Sequence, residues 1–589
     1  MRPIIFSLFL TVTITAAGSL AFASPAAKEE KKPNILLVVG DDVGFGDLGI
    51  SGAVTSTPSL DRLARQGITF TNFHATPVCS VTRGMLLTGN NSIDIGLGAF
   101  DFSVAPSAAG KPGYEGYITD NAVTIAELLR DNGYNTYMVG KWHLGGAHGL
   151  GKGPSKWGFS RSYGIYTGGA NHWNKEVFHF DKHDPDQVEM VKQKRIPHER
   201  YYEDGNQVER PVGIFSDTLF TNKLLEYMEE GRKTGKPFFS YLAYTTPHAP
   251  LQAPDFLIDK YYDHYLETGF EGLRKKRFEV QKMLGVIPKD SVYVSQEDKE
   301  YMRQWNNLTE EQKKLEARTM AVYSAMMESQ DFHIGLVMNY LYETGQLDNT
   351  LVIYMGDNGP EGMADRGLIK NTNATEIQYK MTSTKLEDVG RGNSFWGIGA
   401  DWAMASTGSL QWWKWFIGEG GIRVPMLLVP PKDSTLTKRG SISNEFISVM
   451  DLPMTILEYA GVEYPVKTYK DRKLTAPAGI SVKPYLEGKR KVTRSEEEWV
   501  AFELFGNVYV IAGDYKAIKV RTGMYGDGKW HLYNIKKDPV ESTPLESEMP
   551  KRLEKMIAIY DSYAKEKGVI EVEESWNPWY GSYVPEQSK

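Results

Sequence analysis

The chain holds a single cysteine in 589 residues, Cys79. No internal disulfide can staple it, so the fold must rest on packing and hydrogen bonding. It also lacks an excess of basic charge. Lysine and arginine number 67 against 74 acidic residues, a formal net charge of −7, and no basic run stands out. That balance argues against a nucleic-acid binder, and an anionic ligand would need its positive partners gathered in one pocket. Internal repeats and low-complexity arrays are absent, and beyond residue 23 no apolar run reaches membrane-spanning length. Residues 1–23 are different. Arg2 is followed by an apolar stretch with Ile4, Ile5, Phe6, Leu8, Phe9 and Leu10, and the segment closes on Ala21-Phe22-Ala23. This pattern reads as a secretory signal cleaved after Ala23, with an uncleaved anchor as the alternative, and predicts a periplasmic or secreted mature protein without stable membrane insertion.

Hydrophobic residues at 41% and charged residues at 24% are globular proportions. The length favours two or more domains, or one large α/β unit with insertions. Four segments set the architecture. Ile35 to Val39 is apolar without alternation, as suits a central strand of a parallel sheet covered on both faces. It runs into Gly40-Asp41-Asp42. Asn135 to Val139 runs into Gly140-Lys141-Trp142-His143, Pro237 to Tyr244 into Thr245-Thr246-Pro247-His248, and Leu351 to Met355 into Gly356-Asp357-Asn358-Gly359. One strand ending in polar residues is unremarkable. Four parallel strands bring their carboxyl ends to one rim, so the pattern predicts one shared pocket. The paired carboxylates Asp41 and Asp42 repel unless a cation lies between them.

Further along, Ile68 to Phe73 reads as a strand, Glu316 to Leu341 as a helix packed by Met320, Tyr323, Met327 and Ile334, and Ile447 to Gly461 as a helix closed by its glycine. Among the crowded tryptophans Trp396, Trp402, Trp412, Trp413 and Trp415, most are expected in the core and one or two at the pocket. Residues 467–494 are rich in lysine, proline and glycine without periodicity and read as a linker. It would divide a catalytic domain over 33–466 from a C-terminal α+β subdomain over 495–589, where short strands from Trp499 to Asn534 precede an amphipathic helix, Pro550 to Lys565.

Around Cys79 the sequence runs Pro77-Val-Cys-Ser-Val-Thr-Arg83-Gly-Met-Leu-Leu-Thr-Gly89. It resembles the maturation motif of the sulfatase family, in which the cysteine of Cys-x-Pro-x-Arg is oxidised to formylglycine. Val81 stands where that family has proline. Proline would pre-set the extended backbone that a modifying enzyme grips in the unfolded chain, and valine does not. With Lys-Pro-Gly-Tyr-Glu-Gly at Lys111, Gly-Lys-Trp-His-Leu-Gly at Gly140, Asp-Asn-Gly at Asp357 and Gly-Gly-Ile-Arg-Val-Pro at Gly420, the chain from Pro33 to about Ile570 is similar to bacterial arylsulfatases of the alkaline-phosphatase-like superfamily.

The resemblance implies an α/β fold with a large mixed, mostly parallel central sheet flanked by helices, and a small C-terminal antiparallel sheet with one packed helix. It implies a sulfuric ester hydrolase that uses formylglycine from Cys79, supplied by a maturation enzyme, and one Ca2+ ion at Asp41, Asp42, Asp357, Asn358 and residue 79. The all-oxygen donor set agrees, since it suits a hard cation, and Asn358-Gly359 after Asp357 replaces the histidine of two-zinc relatives. By the same resemblance, residue 79 is the nucleophile and Arg83 orients it. Lys141 and Lys414 neutralise the sulfate oxygens, His248 protonates the leaving group, and His143 takes the proton that lets sulfate depart. The substrate would be a small-molecule or glycan sulfate ester. The alternatives are a phosphate or phosphonate monoesterase on the same scaffold and a sulfated-glycan-binding protein whose Cys79 stays a thiol.

Overall fold

Strand β1 (Asn34–Gly40) is buried along its whole length, which its unbroken Ile-Leu-Leu-Val-Val run requires. It lies at the middle of a ten-stranded sheet. The other members are β2 (Ile68–Phe70), β3 (Asn135–Lys141), β4 (Arg161–Ile165), β5 (Tyr201–Glu203), β6 (Asn206–Val208), β7 (Phe238–Ala243), β8 (Thr350–Gly356), β9 (Met426–Val429) and β10 (Ser441–Ser443). The computed structural model describes residues 31–100, 103–147, 150–176, 185–193, 198–297, 299, 302–362, 385–436, 438–576 and 578. The segment read as a signal, 1–23, lies outside them.

The strand order is β10-β2-β9-β8-β1-β7-β3-β4-β5-β6. Strands β8, β1, β7, β3 and β4 run parallel, as their apolar runs require. Strand β9 is antiparallel to both β8 and β2, and β5 and β6 add antiparallel turns at the far edge. The sheet is therefore mixed and mostly parallel. Two expected elements are shorter than read. The chain leaves the main sheet after Phe70, and Phe73–His74 pairs instead with Ile447–Ser448 in a separate ribbon. For the same reason the helix expected from Ile447 starts only at Asp451, whose Oδ2 accepts from the Ser448 amide. This detour carries the chain from β2 to the cysteine segment.

Helices cover the sheet: α1 (Pro58–Gln66), α2 (Cys79–Thr88), α3 (Ile125–Asp131), α4 (Ser216–Arg232), α5 (Asp255–Leu284) and α6 (Glu310–Glu343). Helix α6 starts on a capping box between Thr309 and Gln312 and buries Met320, Tyr323, Met327 and Ile334. Among the described residues, no helix is long and apolar enough to cross a membrane.

The C-terminal sheet is antiparallel in the order β11 (Val500–Leu504), β12 (Asn507–Ala512), β13 (Tyr515–Lys519), β14 (Trp530–Asn534). One face, with Ala501, Val510, Ala517 and Leu532, packs on Met556 and Tyr563 of α7 (Pro550–Lys567). The other, with Phe502, Leu504, Tyr509 and Ile511, joins the main core, as do Val482 and Leu486 from the stretch read as a linker. From Pro33 on, the described residues form one compact unit.

Candidate active site

The four strand ends are level. Gly40 pairs with Gly356, Val39 with Ala243, and Gly140 with Ala243, so the residues that follow each strand open onto one rim. Gly140 has φ 110°, and a Cβ there would lie 1.8 Å from the Ala243 carbonyl oxygen, so only glycine lets β3 and β7 close at this level. Asp41 and Asp42 follow β1. Asp42 turns through a left-handed backbone (φ 65°), and its amide donates to Asp357 Oδ1 at 3.1 Å. Asn358 Nδ2 donates to Asp42 Oδ1 at 2.6 Å. The acids of β1 and β8 thus form one fully buried group.

Helix α2 presents Cys79 as its first residue, with Gly89 (φ 73°) as its left-handed cap. An α-helix amino end favours negative charge, and no side chain caps this one. Cys79 Sγ lies 3.3 Å from His143 Nδ1. Burial alone would raise the Cys79 thiol, but Lys141, His143 and Lys414 outweigh it and hold the thiol below its ordinary value. One turn on, Arg83 donates to Asp357 Oδ2 from Nε at 2.9 Å and Nη2 at 2.7 Å, and to the Lys141 carbonyl at 3.0 Å. This arginine ties α2 to the ends of β8 and β3 at once.

Lys141 Nζ contacts Asp41 Oδ2 at 2.7 Å, and Lys414 Nζ contacts Asp42 Oδ1 at 2.9 Å. Burial raises Asp42 to about 6 despite the pull of Lys414, while the charges of Asp42, Cys79 and Glu361 raise Lys414 against its own burial. Asp357 is raised as well, by burial and then by Asp41, with Arg83 opposing. His248 Nδ1 lies 2.6 Å from the Ala249 carbonyl oxygen. A carbonyl can only accept, so Nδ1 carries a proton, and Nε2 lies 3.6 Å from Asp42 Oδ2.

Ligand atoms of Asp41, Cys79 and Asp357 lie within 4.8 Å of one another, and so do those of Asp41, Asp42 and His248. Among the described residues, Asp41 Oδ1 and Asn358 Oδ1 are buried without a hydrogen-bond partner, with Arg83 Nη2 3.7 Å from Asp41 Oδ1. Orphaned oxygens are costly in a protein interior. Two of them beside further carboxylates fit a hard cation held by oxygen.

Every residue singled out from the sequence, Asp41, Asp42, Cys79, Arg83, Lys141, His143, His248, Asp357, Asn358 and Lys414, is buried at this rim. Sequence reasoning missed three others. Glu361 lies 3.5 Å from Lys414 Nζ and accepts from Trp415 Nε1 at 3.0 Å; its signal is its place three residues after Asn358 in the same turn. Phe100 packs edge-on against both His143 (5.2 Å) and Trp415 (5.4 Å). His172 Nε2 donates to the His248 carbonyl at 3.1 Å; burial lowers it to about 4, so it holds that loop as a neutral ring. Of the five crowded tryptophans, Trp402 and Trp413 are fully buried in the core and Trp415 stands at the rim.

A mostly parallel α/β sheet with lysines, imidazoles and carboxylates gathered about one helix-terminal position defines a hydrolase of anionic esters. The Sulfatase family model matches residues 33–462, and the chain belongs to that family. It is 38% identical over 92% of its length to an uncharacterized sulfatase of Schizosaccharomyces pombe, covering 95% of that protein. It is 32% identical over 82% of its length to the arylsulfatase of Klebsiella aerogenes, covering 98% of that one. Among solved structures it resembles Ps i-CgsB in complex with k-i-k-neocarrahexaose, with TM-score 0.61 and 22% identity over 92% of this chain and 94% of that one. It also resembles a protein solved with its substrate D-glucosamine-2-N,6-O-disulfate, with TM-score 0.57 and 20% identity over 91% and 98%. The chain is thus a sulfatase, an enzyme of sulfate-ester hydrolysis.

Proposed function

We propose that this sulfatase cleaves sulfate monoesters with formylglycine at position 79 and one calcium ion held by Asp41, Asp42, Asp357 and Asn358. The observation that carries the reading is the placement of Cys79 Sγ, 3.3 Å from His143 Nδ1 at the start of α2, with the charges of Lys141 and Lys414 acting on it. Bound, the cation would polarise the sulfate, and the hydrated aldehyde would offer one hydroxyl as nucleophile and a second whose deprotonation releases sulfate again. Lys141 and Lys414 hold the sulfate oxygens, giving up their present contacts with Asp41 and Asp42. Arg83 keeps Asp357 and the start of α2 in register. His248 Nε2 delivers a proton to the departing oxygen, and His143 Nδ1 accepts one at position 79.

Phe100, edge-on to His143, and Trp415, edge-on to Phe100, are buried and make that side of the site apolar, which agrees with an aryl ring or the face of a sugar. The relatives named as arylsulfatases and the neighbours solved with sulfated sugars agree with either kind of sulfate ester. The apolar opening of the chain supports export to the periplasm or the medium, where calcium is available. Because Cys79 is buried in the fold, the maturation enzyme would act on the chain before it folds.

The test is peptide mass spectrometry of the segment carrying Cys79, paired with turnover of nitrophenyl sulfate and nitrophenyl phosphate with and without calcium. Aldehyde at position 79 with preferential, calcium-dependent sulfate release is the expected result. Preference for phosphate would assign the site to phosphate or phosphonate monoesters. A thiol at position 79 with sulfate binding and no turnover would make it a sulfated-glycan binder.

A further inference from the structure

Lys414 stands in a loop that its own sequence does not favour. Trp412 (φ 71°) and Trp415 (φ 79°), on either side of it, both adopt the left-handed backbone that side chains other than glycine avoid. Such a loop persists only where its surroundings over-determine it. Two ties come from the catalytic side: the Lys414 amide donates to the Pro360 carbonyl at 3.1 Å, and the Trp415 amide to the Pro77 carbonyl, next to the cysteine segment, at 2.8 Å. The loop closes on itself through the Gly420 amide and the Gln411 carbonyl at 2.7 Å.

The remaining ties come from the C-terminal sheet. Lys516 of β13, with no exposed surface, sends Nζ to the Ile417 carbonyl at 2.8 Å, to Glu419 Oε1 at 2.8 Å and to Glu541 Oε1 at 2.9 Å. Glu541 accepts from the Glu419 amide at 2.9 Å through its other oxygen, and Gln411 Nε2 donates to the Val540 carbonyl at 2.7 Å. Glu419 is shared with His74 Nε2 at 3.0 Å and Arg423 Nη1 at 3.3 Å. Both ends of the loop are therefore anchored on residues 97 to 129 positions further along the chain. A wholly desolvated ion cluster is a poor source of net stability, but it fixes one geometry and penalises others.

We propose that Lys516, assisted by Glu541, is a positioning residue for the reaction. By clamping the base of loop 411–421 it holds Lys414 over position 79, so that the C-terminal sheet completes the catalytic site without touching substrate. This rests on the role given above to Lys414.

The experiment is a double-mutant cycle in the full, matured chain, with Lys414→Met, Lys516→Met and the double variant assayed on nitrophenyl sulfate. Lys414→Met should lower kcat/KM by about 100-fold, as loss of one oxyanion partner does. Lys516→Met should lower kcat by about tenfold with KM little changed, the signature of a displaced group felt in the transition state. Added to Lys414→Met, it should cost less than about twofold, because there is nothing left to position. An equal cost in both backgrounds overturns the inference and makes Lys516 a structural support. If Lys414→Met alone has no effect, the functional reading fails instead. Should Lys516→Met not fold, Glu541→Gln decides by the same cycle, since it keeps the amide contact with Glu419 and removes only the charge facing Lys516.

Discussion

At position 81 the folded and unfolded chains make different demands. Val81 is the third residue of α2 and fully buried, and the first amide of this helix to bond back is that of Thr82, to the Val78 carbonyl at 3.2 Å. Proline at 81 would therefore remove no helical hydrogen bond, while in the unfolded chain it would narrow the conformations a maturation enzyme must select from. Val81→Pro is expected to raise the fraction of Cys79 converted to aldehyde, read by peptide mass spectrometry, with Tm held within about 3 °C. Equal fractions in both proteins would refute this. Asn358 carries the second residue-scale prediction. Its buried Oδ1 suits a ligand oxygen of the proposed calcium ion, so calcium at a hundredfold excess over Kd should add about 3 kcal/mol to the wild-type protein, seen as a rise in Tm that a chelator reverses. Asn358→Ala should need more calcium for the same rise; an identical titration would remove Asn358 from the ligand set.

Among the elements, the parallel strands were the most legible. Buried on both faces, β1, β7 and β8 have no polar alternation to confuse with helix, and once they are parallel their ends must share a rim, which is why residues as far apart as Asp41 and Asp357 could be grouped from sequence. Elements defined by partners far along the chain were not legible. The break after Phe70 depends on pairing with Ile447, and the contacts of Phe100 and Glu361 depend on where Trp415 comes to rest. The C-terminal sheet holds an element-scale prediction of its own. Glu503 of β11 is buried, and burial raises it to about 7 although the Gly506 amide donates to it and Arg521 lies near. The folded state thus keeps a proton that the unfolded chain releases near pH 4.5. Its contribution is fully present below that pH and is lost as pH rises toward 7, about 3 kcal/mol in all. Glu503→Gln cannot lose the proton. Its Tm should match wild type near pH 5 and exceed it by a few degrees at pH 8, in parallel thermal melts; a pH-independent difference would contradict the assignment.

For the whole molecule, the question is whether the C-terminal sheet is a separable appendage. Its α7 face has a small cluster of its own, but Phe502, Leu504, Tyr509 and Ile511 on the opposite face are continuous with the catalytic core. Fully burying a side chain of this size contributes roughly 2 kcal/mol, so removing the sheet would expose a patch worth several kcal/mol on the remaining body. It would also strip Glu419 of Lys516 and leave its carboxylate facing His74 and Arg423 alone, and free the Arg423 guanidinium from the Ile535 carbonyl at 3.3 Å. Marginal net stability does not survive losses on that scale. A chain truncated after residue 494 is therefore expected to be recovered in aggregates or bound to chaperones, while the full chain purifies as a folded enzyme. Solubility, a thermal melt and sulfate-ester turnover measured side by side give the answer. A soluble chain ending at residue 494 with full turnover would show that the catalytic rim is complete without the sheet.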